Sequence, residues 1–358
     1  MKSSCFTRAS LSSILQPVFP PRSNPGRPVF CSTAVRPKPR TPLYLRPPAF
    51  RATFSELQKW HIWAKNKATS VGPTFSDLDN GPDSALLHRE LNWLVEDAVE
   101  NPNLIRACLD DTAPVWLRAC LEELYEVWRQ RIEERRPFQY VVGCEHWRDL
   151  IVSVEEGVLI PRPETEVIVD LVDDALKRNE ELRNGGVWAD LGTGSGALAI
   201  GIARVLGGRV IATDLSPVAV AVASYNVQRY DLQDKIAVRE GSWFDPLKDV
   251  EGELSGLVSN PPYIPSKDID GLQAEVCKHE PRLALDGGAN GMNDLLRLCN
   301  GAASMLRPGG FFAFETNGET QSKILVDYMD AKMKGSFCNT MIMSDFAGIQ
   351  RFVTGYRT

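Results

Sequence analysis

The apolar positions of this chain change period along its length. Over residues 54–135 they recur at helical spacing. Leu87, Leu91, Leu94, Val95 and Ala98 form one stripe, opened by the start signals Gly81-Pro82-Asp83. Leu117, Leu121, Leu124, Trp128 and Ile132 form a second, with Pro114 near its first turn. The segment reads as helical throughout, a small bundle whose stripes share a core. Residues 139–160 have the look of a hairpin, with Ile151, Val152 and Val154 flanking Glu155-Glu156-Gly157 as its turn. Pro161 and Pro163 then stiffen the approach to a helix through Val167, Ile168, Leu171 and Val172.

From Val187 onward, strand-length apolar runs alternate with helical stretches. Residues 187–191, 210–213, 236–239 and 311–315 read as strands; residues 218–230 and 293–306 read as helices. That alternation predicts an α/β fold with a doubly wound sheet. Two further strands, at residues 337–343 and 350–356, close the chain around a polar turn.

Composition separates the amino terminus from this body. Residues 1–51 hold no Asp or Glu but nine Lys and Arg, ten Ser and Thr, and ten Pro, the make-up of a disordered transit peptide. Residues 11–19, the only candidate for a secretory apolar core, are broken by Ser, Gln and Pro. The Ser and Pro content, with no clear Arg-rich amphipathic helix, favours chloroplast over mitochondrion. The formal net charge is −6, and without those nine positive charges it becomes −15. Such an acidic body has no broad footprint for a nucleic-acid backbone and suits a basic protein partner. No apolar run is long enough to span a membrane. The eight Cys make no C-x-x-C pair and the four His are scattered, so neither a disulfide framework nor a metal site is expected.

The candidate chemistry lies at strand ends. Asn260-Pro261-Pro262-Tyr263 follows the apolar Leu257-Val258. An amide or amino nitrogen is a weak nucleophile, and placement in line with an electrophile supplies most of its activation. The Asn260 side-chain oxygen and the Pro261 carbonyl suit the two N–H bonds of such a group, with the Tyr263 ring on its flat face. Read alone, the tetrapeptide is equally a turn ending a strand.

Upstream, Asp190-Leu191-Gly192-Thr193-Gly194-Ser195-Gly196 joins a strand to a helix, as a nucleotide-type cofactor site requires. The glycines admit close approach and the helix start offers N–H groups. Gly192, Gly194 and Ala197 also satisfy a dinucleotide fingerprint, so a nicotinamide cofactor stays open at this point. Asp214 ends the second strand where a carboxylate accepts ribose hydroxyls, although Ser216 and Pro217 mark a helix start beside it. Trp243 is placed to cover an adenine ring or to fill the core. Arg162 and Glu164 either order the pocket or cap the next helix. His279, beside Glu280, tempts as a general base, but a lone loop histidine is more often structural.

Together these pieces resemble the S-adenosylmethionine-dependent methyltransferases, and more narrowly the HemK/PrmC-type glutamine-N5 methyltransferases of class I peptide chain release factors. The resemblance runs from about Arg136 to the end. Its other carriers are Pro137-Phe138-Gln139-Tyr140-Val141-Val142-Gly143, Leu159-Ile160-Pro161-Arg162-Pro163-Glu164-Thr165-Glu166 and Glu280-Pro281-Arg282-Leu283-Ala284-Leu285-Asp286-Gly287-Gly288. It implies a Rossmann-like class I fold, a seven-stranded sheet with an antiparallel last strand, preceded by a small all-α domain and a β-hairpin linker. The expected divisions are a transit peptide at 1–51, a substrate-docking helical domain at 52–137, the hairpin at 138–160 and the methyltransferase domain at 161–358.

The resemblance further implies that S-adenosylmethionine is held by Asp190, Gly192, Thr193, Gly194, Ser195, Gly196, Asp214, Trp243 and Asn260. The substrate amide would meet Asn260, Pro261, Pro262 and Tyr263, with Asn260, Pro261 and Tyr263 carrying the reaction. Ser242 departs from the pattern, since some members have aspartate there for the adenine amino group. The expected partner is the Gly-Gly-Gln loop of an organellar class I release factor, met by a monomer without direct nucleic-acid contact. The alternatives are an amino-group methyltransferase for a base in ribosomal or transfer RNA, and a noncatalytic binding partner that keeps the fold.

Overall fold

The computed structural model describes residues 39–103, 110–182 and 186–358; most of the expected transit peptide, residues 1–38, lies outside them. Helices Phe54–Val71, Ser84–Ala98 and Leu121–Glu133 build the amino-terminal domain. Thr53 and Glu56 cap the first reciprocally, and Asp83 caps the second by accepting from the Leu86 N–H. Their stripes meet in one core in which Trp60, Leu87, Leu91, Leu94 and Trp128 are sealed from solvent. The Trp128 indole N–H donates to the Ala64 carbonyl at 2.9 Å, which satisfies that buried donor.

This domain departs from the expected helical bundle in two ways. Strand β1 (Phe50–Thr53) pairs antiparallel with β2 (Pro114–Leu117), Phe50 facing Leu117 and Thr53 facing Pro114. Pro114 and Leu117 are therefore strand residues, and the helix starts only at Leu121. The domain also begins ahead of Ala52. Leu43 is 3% exposed in its core, Arg46 pairs with Glu123 at 2.7 Å, and the Tyr44 hydroxyl accepts from Arg229 at 2.7 Å. Residues 39–51, expected to be disordered leader, are instead a strap across the body.

The linker differs too. Phe138–Val142 is helical, and the hairpin pairs β3 (Cys144–Trp147) with β4 (Leu150–Ser153). Its turn is Arg148-Asp149, with Arg148 at φ 52°, rather than Glu155-Glu156-Gly157. Buried Asn226 accepts from the Ser153 N–H and donates to the Ser153 and Ser195 carbonyls, tying the hairpin to the glycine-rich loop.

The remaining strands are β5 (Val187–Leu191), β6 (Arg209–Asp214), β7 (Ile236–Glu240), β8 (Leu254–Ser259), β9 (Leu306–Glu315), β10 (Phe337–Ser344) and β11 (Gln350–Arg357). They form one sheet in the order β10-β11-β9-β8-β5-β6-β7, parallel from β5 to β9, with β11 antiparallel between β9 and β10. This is a class I methyltransferase fold: a doubly wound sheet whose final hairpin places the last strand antiparallel, as expected. Both faces are covered, so the central strands read as continuous apolar runs. The order reverses between β5 and β8, which opens a crevice at their carboxyl ends. Leu191 pairs with Ser259, and Ser259 with Phe314, so the register brings the glycine loop, Asn260 and Glu315 to one edge.

Candidate active site

The crevice is a cavity of about 300 Å³ whose wall includes Asp190, Gly192, Thr193, Gly194, Ser195, Asp214, Trp243, Asn260 and Pro262. Residues scattered over more than seventy positions of the sequence thus meet in one cavity. Gly192, Gly194 and Gly196 hold φ of 72°, 55° and 82°, left-handed values that side chains resist. Gly196, expected among the cofactor contacts, is outside the wall; a Cβ there would stand 3.2 Å from Ala223, so it lets two helices pack.

Asp214 is tied in from both sides, accepting the Gly194 N–H on Oδ2 and the Ser216 N–H on Oδ1, each at 2.9 Å. The Leu215 backbone adds a third bond, and the remaining lone pair is left for a hydroxyl. Ser216 does cap the following helix, so the cap and Asp214 are separate devices. Asp190 accepts from the Thr193 hydroxyl at 2.6 Å on Oδ2, while Oδ1 is buried without a hydrogen bond of ordinary length. Burial pushes its carboxyl up to about 7, against the Thr193 bond and with the nearby Asp214 charge. A buried carboxylate in a cavity wall, with one oxygen short of a hydrogen bond of ordinary length, suits a cationic ligand. Trp243, at φ 46°, lines the cavity while also packing on the core, and bonds to Asp294, a wall residue that sequence reading missed.

Two of the family-like motifs meet at the rim. Arg162 donates to Glu280 at 2.7 Å, and Glu280 also accepts the Ile160 N–H. The pair sets Pro161, Arg162, Pro281 and Leu283 around the opening. Arg162 therefore orders the pocket, whereas Glu164 faces Arg351 at 3.5 Å. His279 is no general base here: its Nε2 meets the Glu134 carbonyl at 2.8 Å, and the residue is not in the wall.

Pro261 and Tyr263 also stand outside the wall. Rather than presenting its ring to the cavity, Tyr263 donates its hydroxyl to Glu315 at 3.0 Å, and Gln321 holds its carbonyl at 2.8 Å. Asn260 donates through Nδ2 to Thr165 at 2.9 Å, which leaves its oxygen free. Sequence reading missed Thr165 and Glu315. The available signal was an acidic residue closing the aromatic strand Phe311-Phe312-Ala313-Phe314-Glu315 at the sheet edge that carries the site.

Among proteins of known function, the release factor glutamine methyltransferase of Synechocystis sp. is 36% identical over 302 residues, 84% of this chain and 95% of that one. That of Gloeobacter violaceus is 40% identical over 268 residues, 75% of this chain and 90% of that one. The chain belongs to the release factor glutamine methyltransferase family. A family model described as ribosomal protein L11 methyltransferase (PrmA) matches residues 163–260, the part that builds the cofactor cavity. The solved hMettl16 catalytic domain in complex with the MAT2A 3′UTR hairpin 6 overlaps at a TM-score of 0.47 with 14% identity, covering 66% of this chain and 80% of that one.

As a release factor glutamine methyltransferase family member, the chain is an S-adenosylmethionine-dependent enzyme, and its cavity fits that cofactor. Asp214 suits the ribose hydroxyls, Trp243 the adenine face, and the unpartnered oxygen of Asp190 the cationic amino-acid end. The nicotinamide alternative raised by the glycine loop is thereby set aside. Bound there, S-adenosylmethionine supplies an electrophilic sulfonium methyl. The wall residues would enclose that group, with Asn260 in the same wall. Among the described residues no acidic, His or Cys cluster is arranged for a metal, and no helix is long and apolar enough to cross a membrane.

Proposed function

We propose that this protein methylates the side-chain amide nitrogen of the glutamine in the Gly-Gly-Gln loop of an organellar class I release factor. The observation that carries this reading is the fixed Asn260. With Nδ2 spent on Thr165, its Oδ1 is the end left to accept an N–H from a planar amide, and Asn260 lies in the cavity wall. One such acceptor orients a primary amide and aims its nitrogen toward the methyl group; the Pro261 carbonyl, expected as a second acceptor, belongs to a residue outside the cavity wall. The methylated nitrogen then sheds a proton to water, so no positioned base is required. Family membership and the acidic body, suited to a basic protein surface, support the same substrate class.

The acid-free amino-terminal stretch supports import into an organelle, and we assign it to the chloroplast. Residues 1–38 fused to a fluorescent protein should enter chloroplasts; accumulation in mitochondria would reverse the assignment.

The substrate is tested by incubating the full chain with methyl-labelled S-adenosylmethionine and organellar release factors carrying Gly-Gly-Gln or Gly-Gly-Ala loops, with organellar RNA in a separate arm. Label should enter only the Gln-bearing factor. Label in RNA and in neither protein would replace the substrate while leaving the cofactor site intact.

A further inference from the structure

Thr165 ends the short turn Pro163–Thr165, is 6% exposed, and lies between Asn260 and Glu315. Its hydroxyl has one hydrogen, donated to Glu315 Oε2 at 2.7 Å. Toward Asn260 it can therefore only accept, and it takes the Nδ2 hydrogen at 2.9 Å. On the other side, the Tyr263 hydroxyl donates to Glu315 Oε1 at 3.0 Å. Glu315 has no solvent exposure. One hydroxyl donor on each oxygen matches an ionised carboxylate.

A proton on Oε2 would reverse the chain. Thr165 would accept it and turn its own hydrogen toward Asn260, whose amide would answer with Oδ1 and swing its NH2 to the substrate side. An NH2 facing a substrate NH2 offers no acceptor. We propose that Glu315, acting through Thr165, is the positioning group that selects which end of the Asn260 amide meets the methyl-accepting nitrogen. The inference rests on the amide-nitrogen reading given above.

Charges of both signs surround this carboxyl. Glu164 lies beside Glu315; Arg351, paired with Glu164 and Asp345, and Arg162, near Tyr263, are the facing cations. Burial pushes the Glu315 carboxyl up to about 7, opposed by the Thr165 and Tyr263 hydroxyls and Arg351 and assisted by the Glu164 charge.

The test uses the full-length enzyme with a Gly-Gly-Gln release factor, reading kcat from pH 6 to 8.5 and S-adenosylmethionine affinity by calorimetry. The unsubstituted enzyme should lose rate as pH falls below about 7, approaching tenfold per unit. Thr165→Val should lower kcat at pH 8 by about 10- to 100-fold, keep cofactor affinity within about twofold, and lack that acid limb. Thr165→Ser, which keeps the hydroxyl, should restore both rate and limb. If Thr165→Val does not fold, Glu315→Gln carries the test, because an amide that does not titrate must abolish the limb. A wild-type rate in Thr165→Val, a persistent acid limb in either variant, or parallel loss of cofactor binding would overturn the inference alone. Absence of any methylation by the unsubstituted enzyme would remove the substrate assignment and this inference with it.

Discussion

Asn260 and Asp214 share one cavity; on the proposed reading Asn260 meets the substrate amide and Asp214 the ribose, so single substitutions should separate them. Asn260→Ala removes the acceptor for the substrate amide, so we expect kcat to fall at least about 100-fold, as when a positioned polar group is deleted from other sites, with cofactor binding largely kept. Asp214→Ala removes the carboxylate expected to meet the ribose, and should weaken S-adenosylmethionine about 10- to 100-fold in calorimetry. Equal losses of binding and turnover in both variants would contradict this division. Asp190 predicts a pH effect. Its carboxyl rises from 3.8 to about 7 on folding, so its contribution to stability is complete below pH 3.8 and is lost as pH rises through about 7. A cationic cofactor favours the ionised form. Affinity should therefore climb across the same window, with proton release on binding inside it; constant affinity from pH 6 to 8 would count against the assignment.

Among the elements, the strap at residues 39–51 gives the clearest stability prediction. A chain starting at Ala52 lacks Leu43, Tyr44, Arg46 and half of β1. Losing the burial of Leu43 alone is worth about 2–5 kcal/mol by analogy with core truncations. Thermal unfolding should thus separate it from a chain starting at Pro39; equal melting temperatures would show the strap to be dispensable. The strap was illegible because its basic, acid-free composition continues that of the preceding residues, while what holds it lies far along the chain, at Glu123 and Arg229. Strand β2 was hidden for a related reason. Leu117 falls in helical phase with Leu121 and Leu124, and its true partner, Phe50, is remote in sequence. The hairpin turn was misplaced because Gly157 advertises a turn and Arg148-Asp149 does not. By contrast, the glycine loop, Asp214, the Ser216 cap and the sheet strands were legible because each is specified by adjacent residues or by a local period. The same contrast holds in the site: Asn260-Pro261-Pro262-Tyr263 announces itself, whereas the Thr165–Glu315 contact joins residues 150 positions apart.

Across the whole molecule, a buried ion network joins the helical domain to the segment that follows Tyr263. Arg131 bonds to Glu90 and Glu275, and Arg135 to Glu275 and Asp79. The Ala274 N–H adds a bond to Asp79 at 2.9 Å. Burial alone would raise the Glu275 carboxyl, but Arg135 and Arg131 outweigh it and hold the group below its usual 4.5. Its stabilising share is therefore present above pH 4.5 and lost as pH falls through the lowered value. Glu275→Gln should cost about 3–5 kcal/mol in chemical denaturation, because two buried guanidiniums lose their shared partner, and should flatten stability in the acid range. A change under about 1 kcal/mol would mean that the network adds little. The same stretch of chain returns from Glu275 to Glu280, whose bond to Arg162 sets the rim of the cavity. The two halves of the enzyme are consequently not interchangeable modules. Grafting the helical portion of a different methyltransferase onto this sheet would not transplant a new specificity; it would take away the anchorage on which the mouth of the pocket is built.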